Sequence, residues 1–227
     1  MLELHKGQKY IMALALFDLD NTLIAGDSDY LWGKFLVDLG VVDSENYERK
    51  NKQFYQEYNE GRLNIQAFLN FTLKPLTQYS LDQLVTWRTQ FVEKHIEPII
   101  LPAGEKLIAR HRAQGDKLLI ITATNAFVTE PIAARLGVEL LAAAPEQKDG
   151  RYTGRMAEVP CFREGKVIRL RAWLQANNIS MDASTFYSDS CNDLPLLQLV
   201  THPVAVDPDP ILHQYADAHN WPIISLR

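Results

Sequence analysis

Residues 13–17, Ala-Leu-Ala-Leu-Phe, are apolar without interruption and stop abruptly at Asp18-Leu19-Asp20. A short apolar run with no polar alternation predicts a strand buried on both faces, and such strands belong to parallel sheets covered by helices on either side. In open sheets of that kind ligands bind beyond the carboxyl ends of the strands. The chain therefore places two carboxylates where such a fold does its chemistry.

The rest of the chain divides in two. Residues 27–99 have few β-branched runs and carry aromatics at helical spacing: Tyr30, Trp32, Phe35, Tyr47, Phe54, Tyr55, Tyr58, Phe68, Phe71, Trp87 and Phe91. The pattern predicts four or five amphipathic helices, with breaks near Gly40, Gly61 and Pro75. Aromatics so spaced ordinarily pack a core face rather than touch a ligand. Residues 101–227 alternate instead. Strands are predicted at 117–121, 138–142, 185–187 and 203–206, helices at 127–136, 166–175 and from the 188–193 turn through 199, and a hairpin turn at Asp149-Gly150. Strands alternating with helices predict an α/β fold, a Rossmann-like doubly wound parallel sheet. The expected core comprises residues 1–25 and 101–227, with a helical domain inserted at 26–100. Hinges are expected near Gly26 and residues 100–104, where the chain crosses between the two.

Composition narrows the function. The 227 residues carry 23 basic and 28 acidic side chains, a net charge of −5, so no basic face is expected for nucleic acid or an anionic membrane. The apolar run over 10–17 is far short of the ~20 residues that span a bilayer. Glu3 and the lack of a small-residue cleavage site speak against a signal peptide. Cys161 and Cys191 stand in no zinc-ligand spacing and are too few for a disulfide framework. A reduced, cytoplasmic compartment is expected, and oligomeric state is left open.

Four strand ends or adjoining turns bear polar groups: Asp18 and Asp20; Thr122; Asp189 with Asn192 and Asp193; and Lys166 at the start of a helix. Each alone is ordinary turn, cap or surface chemistry. Together they suggest one cluster of carboxylates, hydroxyl and ammonium. Crowded carboxylates call for a hard divalent cation, and magnesium needs only two of them plus a phosphate. Phosphoryl transfer requires a nucleophile, a metal and cationic or N–H donors for the remaining charge. Asp18, on the more buried strand end, is assigned attack. Asp20 is assigned the acid that protonates the leaving oxygen and the base that later activates water.

The segments Phe17-Asp18-Leu19-Asp20-Asn21-Thr22-Leu23, Ile120-Ile121-Thr122, Glu164-Gly165-Lys166 and Ser188-Asp189-Ser190-Cys191-Asn192-Asp193-Leu194-Pro195 resemble, in order, the four motifs of the haloacid-dehalogenase-type hydrolases. The insertion between the first two resembles the helical (C1-type) cap of the phosphoserine-phosphatase-like subgroup. The resemblance implies that Asp18 is phosphorylated and that magnesium is held by Asp18, the backbone carbonyl of Asp20, and Asp189, with Asp193 supporting or binding through water. It implies that Thr122 and Lys166 hold phosphoryl oxygens, with Thr124 as an alternative to Thr122. The substrate-binding set it implies is Asp27, Thr122, Ala123, Lys166 and Asn192.

The substrate is implied to be a small phosphorylated metabolite. Phosphoserine phosphatases carry an acid nine residues after the nucleophile for the substrate amine, and Asp27 stands there. They also carry a cap arginine for the substrate carboxylate; alignment on Glu60-Gly61-Arg62-Leu63-Asn64 puts Thr72 at that place, and Arg62 lies too early to replace it. A missing charge-assisted bond costs about 1.5–3 kcal/mol. A phosphorylated amino alcohol without a carboxylate fits better, and histidinol phosphate is the expected substrate. Phosphoserine hydrolysis and phosphotransfer to an alcohol are the alternatives. A phospho-acceptor signalling domain is a remote one, because receiver domains lack the insertion and the second aspartate.

Overall fold

The computed structural model describes residues 13–227. Glu3, the first residues of the 10–17 run and the 1–12 part of the expected core segment lie outside the described residues. Strand β1 (Leu14–Phe17) is wholly buried. Four helices follow: α1 (Ser28–Asp38), α2 (Ser44–Asn59), α3 (Ile65–Thr72) and α4 (Leu81–Phe91). Asp27, Asp43, Asn64 and Ser80 cap them in turn, each side chain accepting a backbone N–H of the first helical turn. Gly40 and Gly61, both left-handed, follow α1 and α2 as expected of helix-stopping glycines. Pro75 opens a single 3₁₀ turn, Pro75–Thr77. After α4 a π-helical turn, Val92–Ile96, and a 3₁₀ turn, Glu97–Ile99, return the chain to the sheet.

The remainder runs α5 (Pro102–Ala113), β2 (Lys117–Ile121), α6 (Ala126–Leu136), β3 (Glu139–Leu141), β4 (Pro145–Lys148), β5 (Arg151–Met156), α7 (Glu164–Asn177), β6 (Ser184–Ser188), α8 (Leu194–Leu197), β7 (His202–Val206), α9 (Pro210–Ala218) and β8 (Ile223–Ile224). The β4–β5 hairpin turns on Asp149 and Gly150, both at positive φ (52° and 73°), the signature of a two-residue primed turn. One expectation is corrected. The helix predicted to run through Leu199 is a 3₁₀ turn, Cys191–Asp193, followed by the one-turn α8, which ends at Leu197. The chain must turn there to enter β7. Among the described residues no helix is long and apolar enough to cross a membrane.

Six strands form a parallel sheet in the order β3-β2-β1-β6-β7-β8. Alternate residues of the central strands supply two cores. Ala15, Phe17, Leu118, Ile120 and Tyr187 face one side with Leu107, Ile108, Phe127 and Ile132. Leu14, Leu16, Leu119, Ile121 and Phe186 face the other with Leu170, Leu174, Leu197 and Leu212. This two-sided burial is why β1 is apolar throughout. The strand order reverses at β1, whose Phe17 pairs with Ile120 of β2 and Tyr187 of β6. Asp18, Thr122 and Asp189 therefore leave the sheet side by side at the switch point, where open sheets leave a crevice.

Candidate active site

Asp18 directly follows β1, and its backbone N–H still donates to the Tyr187 carbonyl at 2.8 Å, so its position is set by the ladder. The carboxylate is 3% exposed. Lys166, in the first turn of α7, is itself buried, and its Nζ donates to Asp18 Oδ1 and Asp193 Oδ2 at 2.7 Å each. Asp193 Oδ2 also accepts from Ser188 Oγ at 2.7 Å. Gly165 explains how the first turn of α7 packs against the loop that leads into it. A Cβ at this residue would stand 2.0 Å from the Pro160 carbonyl oxygen, so only glycine permits the approach that seats Lys166. Thr22, fully buried, accepts the Asp189 N–H at 3.1 Å, and its Oγ1 lies 3.2 Å from Asp189 Oδ1 and 3.5 Å from Asp18 Oδ2.

Asp20 is held from two sides. Its Oδ1 accepts the Ser28 N–H of α1 at 2.6 Å, and its Oδ2 accepts Thr124 Oγ1 at 2.8 Å and Thr122 Oγ1 at 3.4 Å. Thr122 Oγ1 also accepts the Thr124 N–H at 3.2 Å. Thr124 thus makes the shorter contact with Asp20. Asn192 connects the core to the helical segment: Nδ2 donates to the Tyr58 carbonyl at 2.9 Å, and Oδ1 accepts Arg163 Nε at 3.1 Å. The Arg163 guanidinium in turn donates to the Gly61 carbonyl.

Burial dominates the electrostatics. It pushes the Asp18 carboxyl up to about 7, with Lys166 opposing and Asp193 and Asp20 adding. Burial raises Asp20 as well, against the bonds from Ser28 and Thr124. Asp189 is raised well above the carboxylate range by burial and by Asp18 and Asp193. Four acids thus surround one ammonium. Among the described residues no three acidic, histidine or cysteine side chains form a ready-made cage. A hard divalent ion nonetheless suits the set: the donors are all oxygen, their excess negative charge is buried, and magnesium takes few carboxylates while keeping waters.

A narrow cavity of about 30 Å³ opens beside Asp20. The first turn of α1 gives it Asp27, Asp29 and Tyr30; Ala123 and Thr124 come from the loop after β2, and Phe162 from the approach to α7. Tyr30, Phe54, Tyr55, Tyr58 and Phe68 also line it, so nearly half of the aromatics read as core face the cavity instead. No lysine, arginine or histidine is among its lining residues. Asp27 Oδ1 caps α1 by accepting the Tyr30 N–H at 2.8 Å. Thr72 is buried away from the cavity lining, and Arg62 is exposed beside Glu60.

Asp18, Asp20, Thr122, Lys166, Asp189 and Asp193 therefore meet in one cluster, with Asp27 and Ala123 on the adjoining cavity and Asn192 on the bridge to the helices. Thr22, Asp29, Arg163 and Ser188 were not anticipated. Thr22 had a signal, its place within the first motif. Ser188 likewise lies within the fourth motif and bonds Asp193 five residues on, whereas Asp29 and Arg163 owe their positions to contacts between distant segments.

The model of the haloacid dehalogenase-like hydrolases matches residues 15–198. The chain belongs to this family. A histidinol-phosphatase of Neisseria meningitidis serogroup C (strain 8013) is 41% identical over 94% of this chain and 99% of that protein. Within the family the chain is a phosphatase, a phosphoric monoester hydrolase. A crystal structure of a protein of unknown function from Bordetella pertussis Tohama I superposes with a TM-score of 0.89 at 42% identity, covering 95% of this chain and 99% of that one. A phosphoserine phosphatase captured as a phospho-aspartyl intermediate analogue superposes at 0.70 with 19% identity, covering 94% and 93%, a likeness of fold.

Proposed function

We propose that the protein is a magnesium-dependent phosphomonoesterase that works through a phosphorylated Asp18 and acts on histidinol phosphate. The cavity carries this reading: acids and aromatics line it, and no basic side chain stands there to receive a carboxylate. An ammonium beside Asp27 and a flat ring among Tyr30, Tyr55 and Phe68 suit such walls. The 41% identical relative is named a histidinol-phosphatase, which agrees.

Lys166 fixes the Asp18 rotamer by its 2.7 Å bond and offsets charge on the transferring phosphoryl group. A carboxylate oxygen of Asp18 attacks phosphorus as the bond to the leaving alcohol oxygen breaks. Asp20 gives that oxygen its proton, then takes one from the water that attacks phospho-Asp18, releasing phosphate and restoring both acids. Asp18, Asp189 and the Asp20 carbonyl are the groups that would hold magnesium, and Asp193 supports them through Lys166 and Ser188. Bound there, magnesium supplies positive charge to the phosphoryl oxygens. Thr122 and Thr124 orient Asp20, and Asn192 ties the loop after β6 to the helical segment. Residues 26–100 act as a cap over a core that takes in residues 13–25 and 101–227. The free thiols Cys161 and Cys191 agree with a reducing, cytoplasmic setting.

The deciding measurement is kcat/KM with magnesium for histidinol phosphate against phosphoserine, with free phosphate assayed as product. Histidinol phosphate is expected to be preferred by at least about tenfold. A preference for phosphoserine overturns the substrate, and transfer of phosphate to an alcohol in place of water overturns the hydrolytic role.

A further inference from the structure

Asp29 is buried beyond what its place in the chain explains. Acids in a first helical turn normally sit in water and favour the helix dipole, and Asp27 already caps α1. Yet Asp29 is 5% exposed with no cation beside it. Its Oδ1 has one side-chain donor, Asn125 Nδ2 at 3.4 Å, and its Oδ2 is buried without any partner. Asn125 is equally unusual. It stands at the N-cap of α6 yet makes no capping bond, its amide turns to Asp29, and its Oδ1 is also buried without a partner. Two orphaned acceptors thus lie together where an unmet group costs about 1–3 kcal/mol. Asp29 lines the same cavity as Asp27, among Tyr30, Asn51, Phe54 and Tyr55. Folds keep such a defect where a ligand repairs it.

We infer that Asp29, backed by Asn125, is the receptor for a second nitrogen donor of the substrate, the ring N–H of a nitrogen heterocycle, while Asp27 receives the ammonium. This rests on the reading of the cavity as the pocket for an amine-bearing phosphate ester. It divides the work between two acids two residues apart. Asp27 Oδ1 already accepts the Tyr30 N–H, whereas Asp29 Oδ2 has no partner, so Asp29 is the acid left to take a second donor and makes the site selective for a dibasic ester over a simple amine phosphate. The aromatic walls suit a planar ring, and the buried, unpartnered Oδ2 of Asp29, on the cavity lining, gives its N–H an acceptor.

The test compares wild type and Asp29→Asn on three esters with magnesium: histidinol phosphate (ammonium and ring), phosphoethanolamine (ammonium only) and p-nitrophenyl phosphate (neither). In the variant, the kcat/KM ratio of histidinol phosphate to phosphoethanolamine is expected to fall about 10- to 100-fold, mostly through KM. An unchanged ratio, or equal losses on all three esters, overturns the role of Asp29. A wild-type preference for phosphoethanolamine over histidinol phosphate overturns the substrate reading and this inference with it. A wild-type preference for histidinol phosphate with an unchanged ratio in the variant overturns only the inference. Should Asp29→Asn not fold, Asn125→Ala removes the second acceptor and the one side-chain donor to Asp29 while leaving the α1 sequence intact. A fall in the same ratio then supports the role, and an unchanged ratio overturns it.

Discussion

At the residue scale the chemistry depends on two carboxylates with different surroundings. Asp18 is held by an ammonium, whereas Asp20 accepts only from neutral N–H and hydroxyl groups. Asp18→Asn removes the attacking oxygen while keeping the shape; kcat is expected to fall by at least about 10⁴-fold with an unchanged circular dichroism spectrum. Asp20→Asn separates the two half-reactions. With p-nitrophenyl phosphate, whose leaving group needs no proton, stopped-flow absorbance is expected to show a burst of about one p-nitrophenol per active site, then a stall. A linear trace at the wild-type rate would move the acid–base role elsewhere. Asp29 predicts a pH effect on stability. Burial, with Asp20 adding, pushes its carboxyl up to about 7 from the ordinary 3.8. Between those values the folded chain holds a proton that the unfolded chain has lost, so stability falls as pH rises. Asp29→Asn removes that loss. Its gain in Tm over wild type is expected to be small at pH 5 and larger at pH 8, as differential scanning calorimetry would show. The acids at the strand ends were legible because an apolar run stops at each. Thr22 and Asp29 were not, because their partners lie on other segments.

At the element scale, position comes from where helices begin. Asp27 caps α1 and so presents Asp29 and Tyr30 to the cavity. Gly165 lets α7 begin against the Pro160 carbonyl, and Lys166 follows from that. Gly165→Ala is expected to cost about 1–3 kcal/mol in urea unfolding and to lower kcat, because the first turn of α7 must move and carry Lys166 with it. Wild-type stability and kcat together would show that Lys166 needs no such approach. The strands of the central sheet, the capped helices and the Asp149-Gly150 turn were legible from apolar runs and turn residues. The two-residue β8 was not, since so short an element carries no measurable period; α9 was passed over although Asp209 and Pro210 mark its start. α8 was overread for the opposite reason: Leu196, Leu197 and Leu199 continue an apolar pattern that tertiary packing cuts short.

Across the whole molecule, the helical segment meets the core at several places, among them the chain crossing, the Arg88 bond to the Phe127 carbonyl and the rim of the cavity. Where the chain crosses, Ala25 donates to the Ile99 carbonyl at 2.7 Å and Leu101 to the Leu23 carbonyl at 3.0 Å, so the two crossing stretches run paired. Across the cavity, Asn192 and Arg163 hold the carbonyls of Tyr58 and Gly61. With those contacts made the cavity is narrow, and substrate entry is expected to open them. A Cβ on Gly61 would lie 3.6 Å from Cys191 Sγ. Gly61→Cys is therefore expected to form a disulfide on oxidation, stop turnover and regain it with dithiothreitol. Full turnover with the bond verified by mass spectrometry would show that substrate enters without opening. Magnesium should also stabilise the folded chain by relieving the acid cluster, so its addition is expected to raise Tm, and chelator to lower it and abolish turnover.

The sequence by itself determined the layered α/β fold, the inserted helices and the acids at the strand ends. Those follow from local rules, because an apolar run, a capping side chain or a left-handed glycine acts within a few residues of itself. Only the tertiary structure decided which groups share a cavity and which are left without partners. The encounter of Lys166 with Asp18 and Asp193, the closeness of Thr124 to Asp20, and the orphaned oxygens of Asp29 and Asn125 depend on segments up to 148 residues apart. A hydrogen bond is lost within about an ångström of displacement, so it is packing that settles these partnerships, and packing is a property of the whole chain.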